Sequence, residues 1–326
     1  MKIGLGIVGL GYIGNTHLQH ALRLRNSNLI AVADISKRAL RNAREIGAKK
    51  TYADYRELLK DPEIDAVVIS LPTHLHLECA KAAAEYKKHI LLEKPIARDI
   101  KEAREIVSVT QANSVKIMMG YPLRFNRIFR NLREEITSGA LGEVVTAYVT
   151  NISSGPFFHR AEGYAPVPVP DWWFKRDLTG GGVLVDLGSH MIDLLRWYFG
   201  EITDIRSRLG YRFNLDLEDS AICIAEFQTG TTAIVNVGWY SQEYKLKVEV
   251  HGSVKYAVGM QSASNPIFTA AQMLVTGKSK FFEPHLLELQ YFIDCLMKDK
   301  NPSPNGNDGL KDIEAISLAY QHQMRS

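Results

Sequence analysis

Lys94 is the first residue whose type and placement suit proton chemistry. It follows the apolar run Leu91-Leu92 and Glu93, and Pro95 comes next. A lysine at the carboxyl end of a core strand exchanges protons near neutrality once desolvation or a nearby cation lowers its pKa. The plain alternative is a surface lysine in a loop, and the motif alone favours that alternative. Asp186 and His190 form the second candidate group. Their spacing of four puts them on one face of a helix, with Asp193 on the same side. A carboxylate beside an imidazole holds its tautomer and raises its basicity, which suits a general base that removes a hydroxyl proton. A histidine merely held by a helix carboxylate is the competing reading. The preceding Gly180-Gly181-Gly182 permits close backbone approach. Zinc would need a third ligand here, and no HExxH motif or paired cysteines supply one, so no metal is expected.

A third group lies upstream. Gly9, Gly11 and Gly14, with Tyr12 and Ile13 between them, form GxGxxG at a strand-to-helix junction. The first glycine allows a tight turn, the second admits a pyrophosphate, and the third lets helix and strand pack closely. Asp34 ends the next strand, 20 residues past Gly14 (34 − 14), the separation expected for a carboxylate on an adenosine ribose. Its charge favours NAD over NADP. Ile35 and Arg38 follow at the same edge, and Lys37 and Arg38 would soften the preference unless they are simply solvated. Leu71-Pro72-Thr73 and His76 follow the third strand, where cofactors lie in such sheets. His76 reads equally well as a helix-start residue. Glu93 orients Lys94 or binds ribose hydroxyls. Arg124, Asn126 and Trp172 are candidate substrate contacts, because guanidinium and amide groups bind hydroxyls and indoles stack on sugar C–H faces. Packing is the alternative for each.

The elements that must position these residues fall into two patterns. Strands expected at 3–8, 29–33, 66–71, 89–92 and 115–119 alternate with helices at 16–24, 37–45, 55–60, 75–86 and 100–111. Such alternation means a doubly wound parallel sheet. After residue 122 a helix at 125–137 precedes strands at 144–152, 202–213, 220–227, 231–239 and 246–251. A helix at 183–199 interrupts them, and helices at 285–298 and 310–324 close the chain. Successive strands without intervening helices predict an open, mainly antiparallel sheet in an α+β domain. The proline-rich, aromatic stretch 153–175 reads as an irregular functional loop. The expected domains are therefore 1–121, binding a dinucleotide, and 122–326, serving substrate binding and oligomerisation.

Composition excludes other classes. With 326 residues, 46% hydrophobic and 23% charged, the chain has enough apolar material for two cores. Its formal net charge of +3 is spread without a dense basic block, which argues against nucleic-acid or membrane partners. No stretch reaches the length of a membrane span. The three cysteines are far apart and outside any CxxC, which fits a reducing, cytoplasmic setting. The apolar start to Leu10 is short and glycine-broken, so it reads as a strand rather than a secretory signal.

Taken together, GLGYIG, Asp34, LPTHLH, LLEKP, GGGVLVDLGSHMIDLLRW and the late DGLKDIEAISLAYQ helix resemble the Gfo/Idh/MocA family. The resemblance implies a Rossmann domain, a C-terminal open sheet, and an active site between them. It also implies dimers or tetramers formed by sheet packing. By the same resemblance Lys94 is the EKP lysine, His190 the base, and Lys94 and Asp186 bind and polarise the reacting hydroxyl. The bond before Pro95 is a candidate for the cis form. The implied activity is hydride transfer between NAD, or NADP, and a sugar, nucleotide sugar or cyclitol. A non-catalytic NAD-binding sensor and a cofactor-retaining sugar–sugar oxidoreductase are the alternatives.

Overall fold

The computed structural model describes residues 2–157, 159–160, 166–167, 169–241, 243–262 and 283–324. The chain divides into two compact units, Met1–Pro122 with Phe282–Lys311, and Leu123–Phe281 with Asp312–Ser326. A single boundary near residue 122 does not describe the return of the late segment to the first unit.

The first unit is built on six parallel strands, β1 (Ile3–Val8), β2 (Ser27–Ala33), β3 (Lys50–Tyr52), β4 (Ala66–Ile69), β5 (His89–Glu93) and β6 (Ile117–Gly120). Their order is β3-β2-β1-β4-β5-β6, so the winding direction reverses between β1 and β4. Ligands of open α/β sheets bind outside the carboxyl ends of the strands at such a reversal. All four residues of β4 are 0% exposed. Successive side chains point to opposite faces, so both faces are covered. Burying Val67, Val68 and Ile69 contributes about 1.5–3 kcal/mol each. The helices are α1 (Tyr12–Ala21), α2 (Lys37–Glu45), α3 (Tyr55–Leu59), α4 (His76–Glu85) and α5 (Ile100–Ala112). Side chains define several of their starts. Ser36 accepts from the Ala39 amide, Asp54 from Arg56, and Asp99 from Glu102. β3 was absent from the sequence reading, because three half-buried residues at a sheet edge carry no periodic signal. The peptide bond between Lys94 and Pro95 is cis, as the resemblance implied.

The second unit holds α6 (Arg127–Thr137), β7 (Val144–Ile152), a short ladder of β8 (His159–Arg160) and β9 (Pro166–Val167), α7 (Arg176–Thr179) and α8 (Ser189–Phe199). The strands β10 (Ile202–Gly210), β11 (Ser220–Phe227), β12 (Thr232–Gly238), β13 (Lys245–Gly252) and β14 (Tyr256–Ser262) follow. Helix α9 (Glu283–Met297) lies in the first unit, and α10 (Gly306–Gln321) ends in the second. The sheet order is β10-β11-β12-β7-β13-β14. Every pairing is antiparallel except β12 with β7. Alternation along β11, buried at Ala221, Cys223, Ala225 and Phe227, shows one covered face and one open face. The period of two reports which face a residue occupies and not which strand lies beside it, so the parallel pair escaped the sequence reading. Of the expected loop at 153–175, residues 158, 161–165 and 168 lie outside the described residues.

Candidate active site

In the first unit three glycines shape the carboxyl edge in different ways. Gly9 has φ +89°, and a Cβ there would meet the Ser70 carbonyl oxygen at 2.5 Å. A Cβ on Gly14 would meet the Gly9 carbonyl oxygen at 1.9 Å. At Gly11 nothing lies within 4 Å. Thus Gly9 makes the turn, Gly14 allows helix and strand to touch, and the space at Gly11 is kept open. Gly11 precedes helix α1 and gives it no side-chain cap, and helix starts of this kind suit an anion. Tyr12 is exposed at this helix start and Ile13 is half-buried.

Asp34 reaches back to the same turn. Its Oδ2 accepts from the Leu10 amide at 2.6 Å, and its Oδ1 accepts from the Ser36 amide at 2.7 Å. The carboxylate is thereby fixed beside the glycine turn, where a ribose diol would sit. Ile35 and Arg38 are both exposed at this edge. An open glycine position, uncapped amides and a fixed carboxylate together fit a dinucleotide.

Beyond β4, Leu71 and Pro72 are half-buried and Thr73 is buried. His76 is 1% exposed, and its Nδ1 and Nε2 lie 2.9 Å from the Pro95 and Leu71 carbonyl oxygens. The ring therefore braces the ends of β4 and β5 against each other. Burial pushes its pKa down, and the carbonyls pull the other way.

Glu93 ends β5 and pairs with the fully buried His17 of α1, Nε2 to Oε1, at 2.7 Å. Burial opposes ionisation of Glu93, but the His17 hydrogen bond, with the Lys94 charge nearby, holds its carboxyl below the usual range. Gly120 leaves room for this carboxylate, which would lie 3.0 Å from a Cβ there. Glu288 of α9 joins the group, with potential ligand atoms of His17, Glu93 and Glu288 within 4.8 Å of one another. The His17–Glu93 separation is that of a hydrogen bond. Two donors on one tetrahedral zinc lie about 3.3 Å apart. The cluster is thus a buried hydrogen-bonded group that ties α1 to the strand end carrying Lys94, which is half-buried.

In the second unit Asp186 sits on a π-helical turn, Leu184–Gly188, that runs into α8. Single π-turns inside α-helices recur at functional sites. From Gly181 to Leu195 every residue is buried except Asp186, Leu187 and His190. These three therefore form one open patch on an otherwise sealed helix. Trp239 donates its Nε1 hydrogen to Asp186 Oδ2 at 3.1 Å. Arg124 does not point its guanidinium into free space. Its Nε and Nη2 donate to Asp193 at 3.0 and 2.6 Å in a buried two-point ion pair. Asn126 caps α6 through the Ile128 amide and donates to Gln261 at 2.9 Å. Both residues thus have structural partners within the fold. Trp172 is half-buried on a 3₁₀ turn, its ring 5.6 Å from that of Trp173.

Two family profiles match the chain. One, an oxidoreductase family with an NAD-binding Rossmann fold, covers residues 3–121, and the other, a GFO/IDH/MocA C-terminal domain, covers 129–257. The chain belongs to the Gfo/Idh/MocA family. As a member it is an NAD-binding oxidoreductase. It is 25% identical to a myo-inositol 2-dehydrogenase of Thermotoga maritima, over 97% of this chain and 94% of the relative. It is 27% identical to a 1,5-anhydro-D-fructose reductase of Ensifer adhaerens, over 96% and 94%. A levoglucosan dehydrogenase solved with NADH superposes with a TM-score of 0.85 at 21% identity, over 99% of this chain and 97% of that one.

Sequence reasoning missed three buried residues that hold the candidate groups, His17 in the first unit and Glu218 and Trp239 in the second. His17 lies on the glycine-turn helix, where its period marks it only as a core position. Trp239 ends an expected strand and gave no polar signal. Glu218 stands in the 211–219 connection, and nothing local marks it as fully buried. Among the described residues no helix is long and apolar enough to cross a membrane.

Proposed function

We propose that this oxidoreductase moves a hydride between NAD and a hydroxyl-bearing carbon of a sugar, nucleotide sugar or cyclitol, with Lys94, Asp186 and His190 as the catalytic residues. The open patch of Asp186 and His190 on an otherwise sealed helix carries this reading. Bound NAD supplies the hydride acceptor at its nicotinamide ring. His190 accepts the hydroxyl proton, and Lys94 donates a hydrogen bond to the reacting oxygen. Asp186, held by Trp239, stabilises the charge that develops on His190. Glycines 9, 11 and 14 and Asp34 seat the dinucleotide, with Leu71, Pro72 and Thr73 along its path. The named activities of the relatives, on inositol, anhydrofructose and levoglucosan, support a polyhydroxylated ring as substrate.

The test follows NADH absorbance with purified protein against polyols, hexoses and nucleotide sugars. Turnover on one of these, cut at least about 100-fold by Lys94→Ala and by His190→Ala, is the expected result. Intact NAD binding with no turnover on any compound would sink the reading in favour of a sensor.

We also propose a homo-oligomer built through the open sheet face. Ile224, Ile234, Tyr148, Glu249 and Val258 are successive cross-strand neighbours from β11 to β14. Ile224, Ile234, Tyr148 and Val258 are exposed. An exposed row that is apolar except for Glu249 is the kind of surface that two copies of a chain cover by packing about a two-fold axis.

A further inference from the structure

Glu218 lies in the connection between β10 and β11 and is 0% exposed. A carboxylate buried this completely needs hydrogen bonds to every side. It has four. Oε1 accepts from the Gly182 amide at 2.8 Å, the Leu184 amide at 3.2 Å and the Tyr320 hydroxyl at 2.6 Å. Oε2 accepts from Arg176 Nη2 at 3.0 Å. The Glu218 backbone carbonyl also accepts from the Val183 amide at 2.9 Å.

The amides of 182, 183 and 184 are the free donors at the start of the helical run that carries Asp186 and His190. No side chain of the run itself caps them. Glu218 takes all three from outside and sets a negative charge on the positive end of the helix. Two of the three glycines leave room for this contact. A Cβ on Gly182 would meet the Glu218 carbonyl oxygen at 2.1 Å, and one on Gly181 the Tyr320 hydroxyl at 2.1 Å. The close approach that Gly181 and Gly182 permit is therefore to Tyr320 and Glu218. The next residue works on the other side of the site. The Asp219 carbonyl accepts from the Trp239 amide at 2.8 Å, and Trp239 in turn holds Asp186.

We infer that Glu218 is a positioning residue for the reaction, fixing Asp186 and His190 by terminating their helix from a separate segment. This rests on the proposed roles of Asp186 and His190. Glu218 itself is sealed from substrate and cofactor by its own partners.

The experiment compares Glu218→Ala, Glu218→Gln and Asp186→Asn with the wild type. Three quantities are read: kcat on the best compound of the panel, the NADH Kd by fluorescence, and the ¹⁹F resonance of Trp239. The resonance comes from 5-fluorotryptophan-labelled protein, assigned with Trp239→Phe. Glu218→Ala should lower kcat about 100-fold, the scale of a misplacement near 1 Å. NADH Kd should stay within about twofold, and the Trp239 resonance should move. Glutamine keeps an oxygen for the two amides and Tyr320 and loses only Arg176, so Glu218→Gln should recover kcat to within about tenfold of wild type. If alanine prevents folding, glutamine and Tyr320→Phe carry the test through the same resonance. A folded Glu218→Ala with unchanged kcat and unchanged resonance, while Asp186→Asn is slow, overturns the inference. An Asp186→Asn enzyme as fast as wild type overturns the underlying catalytic assignment instead.

Discussion

Trp239 donates its indole N–H to Asp186 at 3.1 Å, so a residue from the end of β12 sets the direction of a carboxylate on the α8 run. Trp239 is 2% exposed, which keeps the contact dry and strong. Trp239→Phe retains the ring but removes the donor. We expect kcat to fall about tenfold, as for one lost hydrogen bond of about 1.4 kcal/mol. The fall should come with a shifted acid limb in the kcat–pH profile. An unchanged profile would mean that Asp186 is oriented by other contacts.

Gly11 and Gly14 should fail in different ways. Open space at Gly11 should let Gly11→Ala fold normally, with a loss of NADH affinity of at least about tenfold, because the methyl group would enter the space proposed for the pyrophosphate. Gly14→Ala drives a methyl into the Gly9 carbonyl and should lower Tm by several degrees. Thermal melts and NADH titrations of both variants separate the two. A Gly11→Ala protein that binds NADH as tightly as wild type would remove the pyrophosphate from this turn.

Asp34→Ala should raise the KM for NAD far more than that for NADP. Its carboxylate is already held at the glycine turn by two backbone amides, so the change removes a fixed charge. Steady-state kinetics with each cofactor decide the matter. Equal changes in the two constants would sink the ribose assignment.

Acid should destabilise the first unit through its histidines. Burial, with His17 next, pushes the pKa of His20 down to about 3, from 6.5. Burial likewise pushes His285 down to about 4. Both stay neutral in the folded chain, while the unfolded chain takes up their protons below pH 6.5. Their contribution is therefore complete above that pH and is lost as the pH falls, at about 1.4 kcal/mol per pH unit for each group. Tm should drop steeply from pH 6.5 to 4.5, and His285→Gln should flatten the slope. A slope that His285→Gln leaves unaltered would contradict this.

Ile224→Lys places a charge at the β11 end of the exposed row without touching the buried face. Light scattering should show wild type above the monomer mass and the variant shifted toward it. Two identical monomeric profiles would refute the oligomer proposal.

Much of the fold was legible because its signals are local. Buried parallel strands are continuous apolar runs, and half-covered strands alternate, so β7 and β11 matched their expected limits to the residue. Helix α1 begins four residues earlier than expected, because its first turn is the glycine motif, whose poor helix propensity is offset by packing against β1. β14 escaped notice for lack of an apolar run, although β13 pairs with it throughout.

The sequence by itself determined the kinds of chemistry this chain carries. Glycine spacing, an acidic residue 20 positions later, a lysine before proline and an Asp–His pair four apart are all short-range patterns, and each follows from the geometry of one turn or one helix. Only the tertiary structure decided what those residues touch. His17 reaches Glu93 across 76 positions, Arg124 reaches Asp193 across 69, and Glu218 reaches Gly182 across 36. A buried polar group must find its partner wherever the packed chain brings one, and that requirement leaves no mark on the residues next to it in sequence.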